Sequence, residues 1–166
     1  MQRINPCLWF SNSAQEAVEF YRSVFKDLKV LRKTYYPDVP SGSEGAPTLP
    51  PAGTLLTLDF ELFGQLYTAL NGGPDFPFTE AISLVVNCKD QEEIDCYWEA
   101  LLAGGGQESQ CGWLRDKFGL SWQIVPIEMT EILVQNDPGA CSRMMQAMFT
   151  MVKLDIATLR KAAEGS

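Results

Sequence analysis

The 166-residue chain reads as an α+β protein: two βαβββ modules in tandem, forming a cupped mixed sheet, followed by a helical extension. Three observations predict this. Two amphipathic segments share one pattern, two strand–turn–strand segments are built around a Phe-Gly pair, and a methionine-rich tail follows that neither repeat contains.

The first strand is expected over residues 4–10. Ser13 then opens a helix with Glu16 at the third helical position, the arrangement of a capping box. Ala17, Phe20, Tyr21, Val24 and Phe25 follow at the spacing of one buried helical face. A second strand is expected over 28–36. Leu56, Leu58, Phe60 and Leu62 alternate with Thr57, Asp59 and Glu61, the period of a strand with one apolar face. Phe63-Gly64 turns this strand into the next, glycine supplying the positive φ of a tight hairpin. Between them PDVPSGSEGAPTLPPAG (37–53) reads as a surface loop inserted in the first module.

The second half repeats the plan. A strand is expected over 81–87, and Asp90 opens a helix with Glu93 in the capping position. Ile94, Tyr97, Trp98, Leu101 and Leu102 each lie 77 residues after their counterparts, cap included. GWLRDKFGLSWQIV then turns at Phe118-Gly119, 55 residues after the first Phe-Gly turn. The 22-residue difference between the offsets is largely the Pro/Gly loop. A short strand is expected near Glu108. In the tail, Asp137-Pro138 starts a helix through about Met151, striped by Met144, Met145, Met148 and Met151. Such a stripe suits core packing, a subunit contact or an adaptable binding surface. Asp155 caps a last helix ending near Gly165. The expectation is one domain over 1–166: module one 1–74, module two 75–127 and a helical tail 128–166.

Thirteen basic against 21 acidic residues give a net charge of −8, and no Lys/Arg cluster stands out, so no nucleic-acid partner is expected. No apolar run approaches the roughly 20 residues of a membrane helix. MQRINPCLWF carries no signal-peptide core. Five cysteines, an odd number without a CxxC pair, point to a reducing, cytoplasmic setting rather than a disulfide framework or a zinc ribbon. Histidine is absent, which removes the commonest neutral metal ligand and the side chain that titrates nearest neutrality.

PCLWF (6–10), AVEFYRSVF (17–25), ALNGGPDFPFTEAIS (69–83), Tyr97-Trp98 and above all SQCGWLRDKFGLSWQIVP (109–126) resemble the vicinal oxygen chelate superfamily. This is the glyoxalase/bleomycin-resistance fold, and the resemblance is to its PhnB-like branch, labelled a 3-demethylubiquinone 3-methyltransferase domain. It implies a cavity between the modules, subunits that pair, and metal ligands on the first and last strands of each module. Carried onto this chain, those positions fall near Pro6, at Thr68, near Ala81 and at Gln123. None carries His, Cys or a carboxylate, so no metal and no cofactor are expected. LNGGP (70–74) has the Gly-Gly pair of a nucleotide loop, but a loop with special dihedrals suffices to explain it.

The expected ligand-binding residues are Thr68, Ser83, Trp113, Ser121 and Gln123. Strand alternation adds Leu66 and Leu70 beside Thr68 and Val125 beside Gln123, with Phe76 and Phe78 as possible aromatic walls. The favoured function is metal-free small-molecule binding, by sequestration or sensing, in a homodimer. The alternative is a glyoxalase- or methyltransferase-like enzyme of the same fold, using Glu80, Tyr67 or a cysteine as acid–base. A third reading, a subunit acting through a partner, rests on the methionine-rich tail. No catalytic residue is singled out.

Overall fold

The computed structural model describes residues 3–38, 49–135 and 137–165. Most of the Pro/Gly loop expected at 37–53 therefore lies outside the described residues. The chain forms two compact units, Met1–Pro77 and Phe78–Ser166.

The first unit runs β1 (Cys7–Phe10), α1 (Ala14–Val24), β2 (Lys29–Tyr35), β3 (Leu55–Leu62) and β4 (Gln65–Asn71). Its sheet has the order β1-β4-β3-β2, with β1 parallel to β4 and the other pairs antiparallel. The second unit runs β5 (Ser83–Cys88), α2 (Gln91–Leu102), β6 (Gln107–Glu108), β7 (Trp113–Arg115) and β8 (Ser121–Pro126). Its order is β5-β8-β7-β6, again with one parallel pair, β5 and β8. The duplication is thus a duplication of topology. Thr68 pairs with Cys7 and Asp59, and Gln123 with Val85 and Trp113, so the two residues hold the same place in their sheets.

Each helix covers one sheet face. Ala14, Ala17, Val18 and Tyr21 of α1 are buried with Leu58, Phe60, Leu62 and Ala69. In the second unit Ile94, Trp98 and Leu101 are buried with Val86, Trp122 and Ile124.

The two halves differ where side chains satisfy backbone ends. Asp90 caps α2 as expected, accepting the Glu93 N–H at 2.9 Å. The Ser13 side chain makes no capping bond. Asn71 takes that role from the end of β4, its Oδ1 accepting the Ala14 N–H at 2.9 Å. The turns differ as well. Phe63 (φ 48°) and Gly64 (φ 78°) both take positive φ, which is the two-residue turn that suits a twisted hairpin. The second turn is longer, because β7 ends at Arg115 and β8 begins at Ser121. The buried Asp116 carboxylate organises it, accepting from the backbone N–H groups of Phe118 and Leu120 and from the Trp122 indole.

Beyond β8 come α3 (Ile127–Gln135), α4 (Pro138–Met148) and α5 (Ile156–Glu164). The expected helical tail begins with α3, which follows β8 directly and for which the sequence pattern set no bounds of its own. Helix α4 stops at Met148, short of the expected Met151. Met144, Leu154, Leu159 and Ala163 form a core with Val125, and Met148 and Met151 pack against it. The methionine stripe is therefore largely core. Val125 shares a strand face with Gln123, but the tail covers it. Two backbone bonds of 2.8 Å, Cys111 N–H to Met151 and Gly112 N–H to Val152, fasten the tail to the strand region. Gln91 adds two more, to Ile156 N–H and Leu154 C=O.

One outer strand of each sheet is blunted. Strand β2 carries two register irregularities, and β6 is two residues long, both devices that discourage edge-to-edge pairing. No described helix is long and apolar enough to cross a membrane. All five cysteines are free thiols.

Candidate functional site

In the first unit, alternation along β3 sends Leu58, Phe60 and Leu62 toward α1 and Thr57, Asp59 and Glu61 to the opposite, open face. Cys7, Thr68, Asp59 and Arg32 follow one another across that face as register partners. They are linked by hydrogen bonds. Asn5 Nδ2 donates to Thr68 Oγ1 at 3.0 Å, Thr68 Oγ1 donates to Asp59 Oδ1 at 2.8 Å, and Arg32 donates to Asp59 Oδ2 from Nε at 3.0 Å and Nη2 at 2.6 Å. This chain lies in a cavity of about 310 Å³ completed by Leu31, Leu66 and Tyr67. Burial, then the Asp59 charge, pushes the Cys7 thiol up. Burial also raises the Tyr67 hydroxyl, whose ring stacks on Phe60 at 5.1 Å.

The sequence pattern singles out Thr68 on this face but not Asp59 or Arg32. The signal for Asp59 is its alternation with the apolar residues of β3. Arg32 carries none, because its side depends on a bulge.

In the second unit the open face gathers Ser83, Trp113, Ser121 and Gln123. Gln123 Nε2 donates to Ser83 Oγ at 2.8 Å. Ser121 is buried and Trp113 half-buried. Arg115 bonds Gln107 Oε1 and lies 3.9 Å from Glu80. Four of the five expected residues thus share one sheet face, and Thr68 holds the Gln123 position on the other sheet.

Phe76 packs edge-on against Trp9, ring centroids 4.9 Å apart. Trp9 also explains the Gly-Gly pair. Its indole N–H donates to the Gly73 carbonyl at 2.8 Å, and a Cβ on Gly72 would stand 2.3 Å from the Trp9 ring. Gly73 has φ +95°. The pair accommodates an indole, and no βα turn follows it.

The donor set does not fit a transition-metal centre. The first-strand partners of Thr68 and Gln123 are Cys7, next to Pro6, and Val85, four residues past Ala81. Together they offer one thiol that favours its proton, a hydroxyl, an aliphatic side chain and a neutral amide, a poor set for zinc, nickel or iron. Asp59 is already committed to Thr68 and Arg32. Among the described residues no group of three His, Cys, Asp or Glu could hold a metal ion.

A larger hollow, about 610 Å³, lies among the tail helices. The Arg160–Glu128 pair, bonded twice at 2.7 Å, stands on its rim, and the bonds from Arg160 hold the Glu128 carboxyl below its usual range.

Both units thus carry the strand order and open polar face of the vicinal oxygen chelate fold. The family model for 3-demethylubiquinone-9 3-methyltransferase matches residues 2–125, and the chain belongs to this PhnB-like family. A PhnB protein from Bacillus cereus, bearing the same methyltransferase label, is 31% identical over 75% of this chain and 99% of its own, with a TM-score of 0.62. PA1353 from Pseudomonas aeruginosa is 19% identical over 76% of this chain and 98% of its own, TM-score 0.55. The fosfomycin resistance protein FosX from Listeria monocytogenes shares the fold at 12% identity, covering 76% and 93% of the two chains with a TM-score of 0.51. No curated protein matches the chain. Helices α3, α4 and α5 lie beyond the residues that the family model covers.

Proposed function

We propose that the protein binds a small molecule, without a metal ion, on the open faces of its sheets, and acts by sequestration or sensing. One observation carries this reading. Where the fold implies a ligand set for a metal, this chain has hydrogen-bonded organic groups, Asn5–Thr68–Asp59–Arg32 on one sheet and Ser83–Gln123 on the other. Such groups orient a ligand; they do not activate one.

The groups that could run acid–base chemistry favour binding over catalysis. Burial raises Tyr67 and Cys7, so neither is poised as a base or nucleophile near neutrality. Glu80 is 71% exposed beside Arg115, where water competes for any proton it would move. The methyltransferase label implies a methyl donor, and the Gly-Gly pair that would suggest its loop is occupied by Trp9.

The proposal includes a homodimer. The blunted β2 and β6 edges give little reason for pairing through those strands, whereas exposed Leu133 and Val134 on α3 and Phe149 just past α4 support a contact through the tail. Light scattering at micromolar concentration should give twice the chain mass; a monomer refutes this part.

Elemental analysis of the purified protein, joined to a thermal-shift screen of metabolites and divalent metals, tests the central claim. The expected result is stabilisation by at least one organic compound and less than a tenth of an equivalent of zinc, nickel or iron. Gln123→Ala should weaken that compound by several-fold to about tenfold, one hydrogen bond being worth roughly 0.5–1.5 kcal/mol. One equivalent of metal per chain overturns the proposal.

A further inference from the structure

We propose that Arg32, held in place by Asp59, is the anchor for a carboxylate on the ligand, so that the first-unit cavity takes a small organic acid with an apolar body. This rests on the small-molecule reading above and adds the chemical class.

A bulge places the residue. Lys29 pairs with Glu61, Val30 with Phe60, and Arg32 with Asp59, leaving Leu31 without a partner. Without that extra residue, alternation would put Arg32 on the α1 side with Val30 and Leu31 on the open side. The bulge turns Arg32 onto the open face, beside Thr68.

The pair it forms there is asymmetric. The Asp59 side chain is 20% exposed and that of Arg32 is 64% exposed. Asp59 accepts three hydrogen bonds, from Thr68 and from two Arg32 nitrogens, which nearly fills its acceptor capacity. The carboxylate is sunk and occupied, and the guanidinium stands outward. A ligand therefore meets the positive end of the pair.

The Nε and Nη2 groups are tied to Asp59, while Nη1 makes no hydrogen bond among the described residues. A guanidinium has five N–H donors, so Nη1 and the second hydrogen of Nη2 can receive both oxygens of a carboxylate side by side. The neighbouring cation does not compete, since Lys29 is bonded to Glu61 at 3.2 Å. Leu31 and Leu66 supply apolar wall. A volume near 310 Å³ is at the low end for ligand sites, roughly 300–1,000 Å³, which limits the body to about the size of one ring. Asp59, Thr68 and Asn5 are positioning residues, each fixing the next.

The test uses benzoate and its neutral isostere benzamide, titrated into the full chain while the backbone amide signals of Leu66 and Thr68 are followed by NMR. Benzoate should shift both to saturation, with benzamide at least tenfold weaker. Arg32→Gln should abolish the preference, and Arg32→Lys should keep it with several-fold weaker benzoate binding, because a point charge cannot make the paired contact. Dispersed spectra of both variants report that they fold. Equal binding of the two probes, or an unchanged preference in Arg32→Gln, overturns the anchor. Saturable benzamide binding without benzoate binding overturns the anchor alone and leaves small-molecule binding standing. If neither probe moves those amides, the anchor falls, and small-molecule binding is decided by the thermal-shift screen.

Discussion

The side chain of Asn71, at the end of β4, accepts the backbone N–H of Ala14, the first residue of α1, across 57 positions of sequence. A helix start is thereby capped by a strand end. The same amide donates to the Leu55 carbonyl at 3.2 Å, and its own backbone carbonyl accepts from the Tyr36 hydroxyl at 2.7 Å. The buried residue therefore ties helix, strand and loop entry together.

Asn71→Ala should cost about 1–3 kcal/mol, because it leaves a buried donor and a part-buried acceptor unpaired. At roughly 2–4 °C per kcal/mol for a chain of this size, the melting temperature should fall by several degrees. Ser13→Ala should change it little, since the Ser13 side chain makes no capping bond. Paired thermal melts check the contrast, and an equal loss in the two variants would return the cap to Ser13.

Asp116→Ala should be more damaging. It removes the acceptor of three hydrogen bonds at a site 3% exposed, and the Trp122 indole loses its partner in the core. A loss of about 2–4 kcal/mol is expected. Denaturant unfolding followed by tryptophan emission measures it, and a loss below 1 kcal/mol would mean that the turn is held by its backbone alone.

The cysteines should separate by reactivity. Cys96 is exposed and should react first with a disulfide reagent at neutral pH. Cys7 is also exposed, yet burial of its thiol and the Asp59 charge favour the protonated form, so it should lag. Burial, with Glu93 and Asp90 nearby, pushes the Cys88 thiol up to about 12, and it should stay silent until the chain unfolds. Asp59→Asn should speed Cys7 and leave Cys96 unchanged. Mass spectrometry of timed samples reads the order; early labelling of Cys88 would contradict the burial of β5 against α2.

Acid should loosen the tail first. Glu128 is held below the usual carboxylate range by the bonds from Arg160, Asp155 by the Thr158 cap, and Asp95 by Lys153 and then Gln91. A carboxylate whose folded pKa is depressed stabilises fully above its unfolded value and loses that contribution as pH falls through the folded value. The fastenings should thus hold at neutral pH and weaken below about pH 4. These groups are mostly exposed, so the effect is modest and screened by salt. Amide exchange, corrected for its intrinsic pH dependence, should show α5 losing protection between pH 6 and 3 while α1 keeps its own. Parallel loss in both helices would refute a separate tail.

Much of this architecture was legible because period and offset are local properties. The spacing from Ala17 to Phe25 and its repeat 77 residues on locate both helices, and alternation along β3 locates both faces of its sheet. Thr68 and Gln123 follow from counting past a turn glycine. What escaped the sequence is long-range. Asn71 displaces Ser13 as a cap because a distant strand end arrives there, and a capping-box pattern cannot register that. Arg32 reaches the open face only through a bulge, and one unpaired residue in β2 has no signature in composition. The bounds of α3 within the helical tail were not legible, because an apolar run directly after a strand carries no period of its own.

Trp9 and Gly72 are one structural decision written at two places in the chain. The indole fills the space where a Cβ at 72 would sit, so position 72 cannot gain a side chain while the tryptophan stands. A descendant of this protein that acquires a side chain at 72 must first shrink the residue at 9, and one that keeps the tryptophan must keep the glycine. Covariation between these two sites, read across relatives, would then report the presence of the indole. The dipeptide that invites a nucleotide-loop reading is the imprint of an aromatic ring.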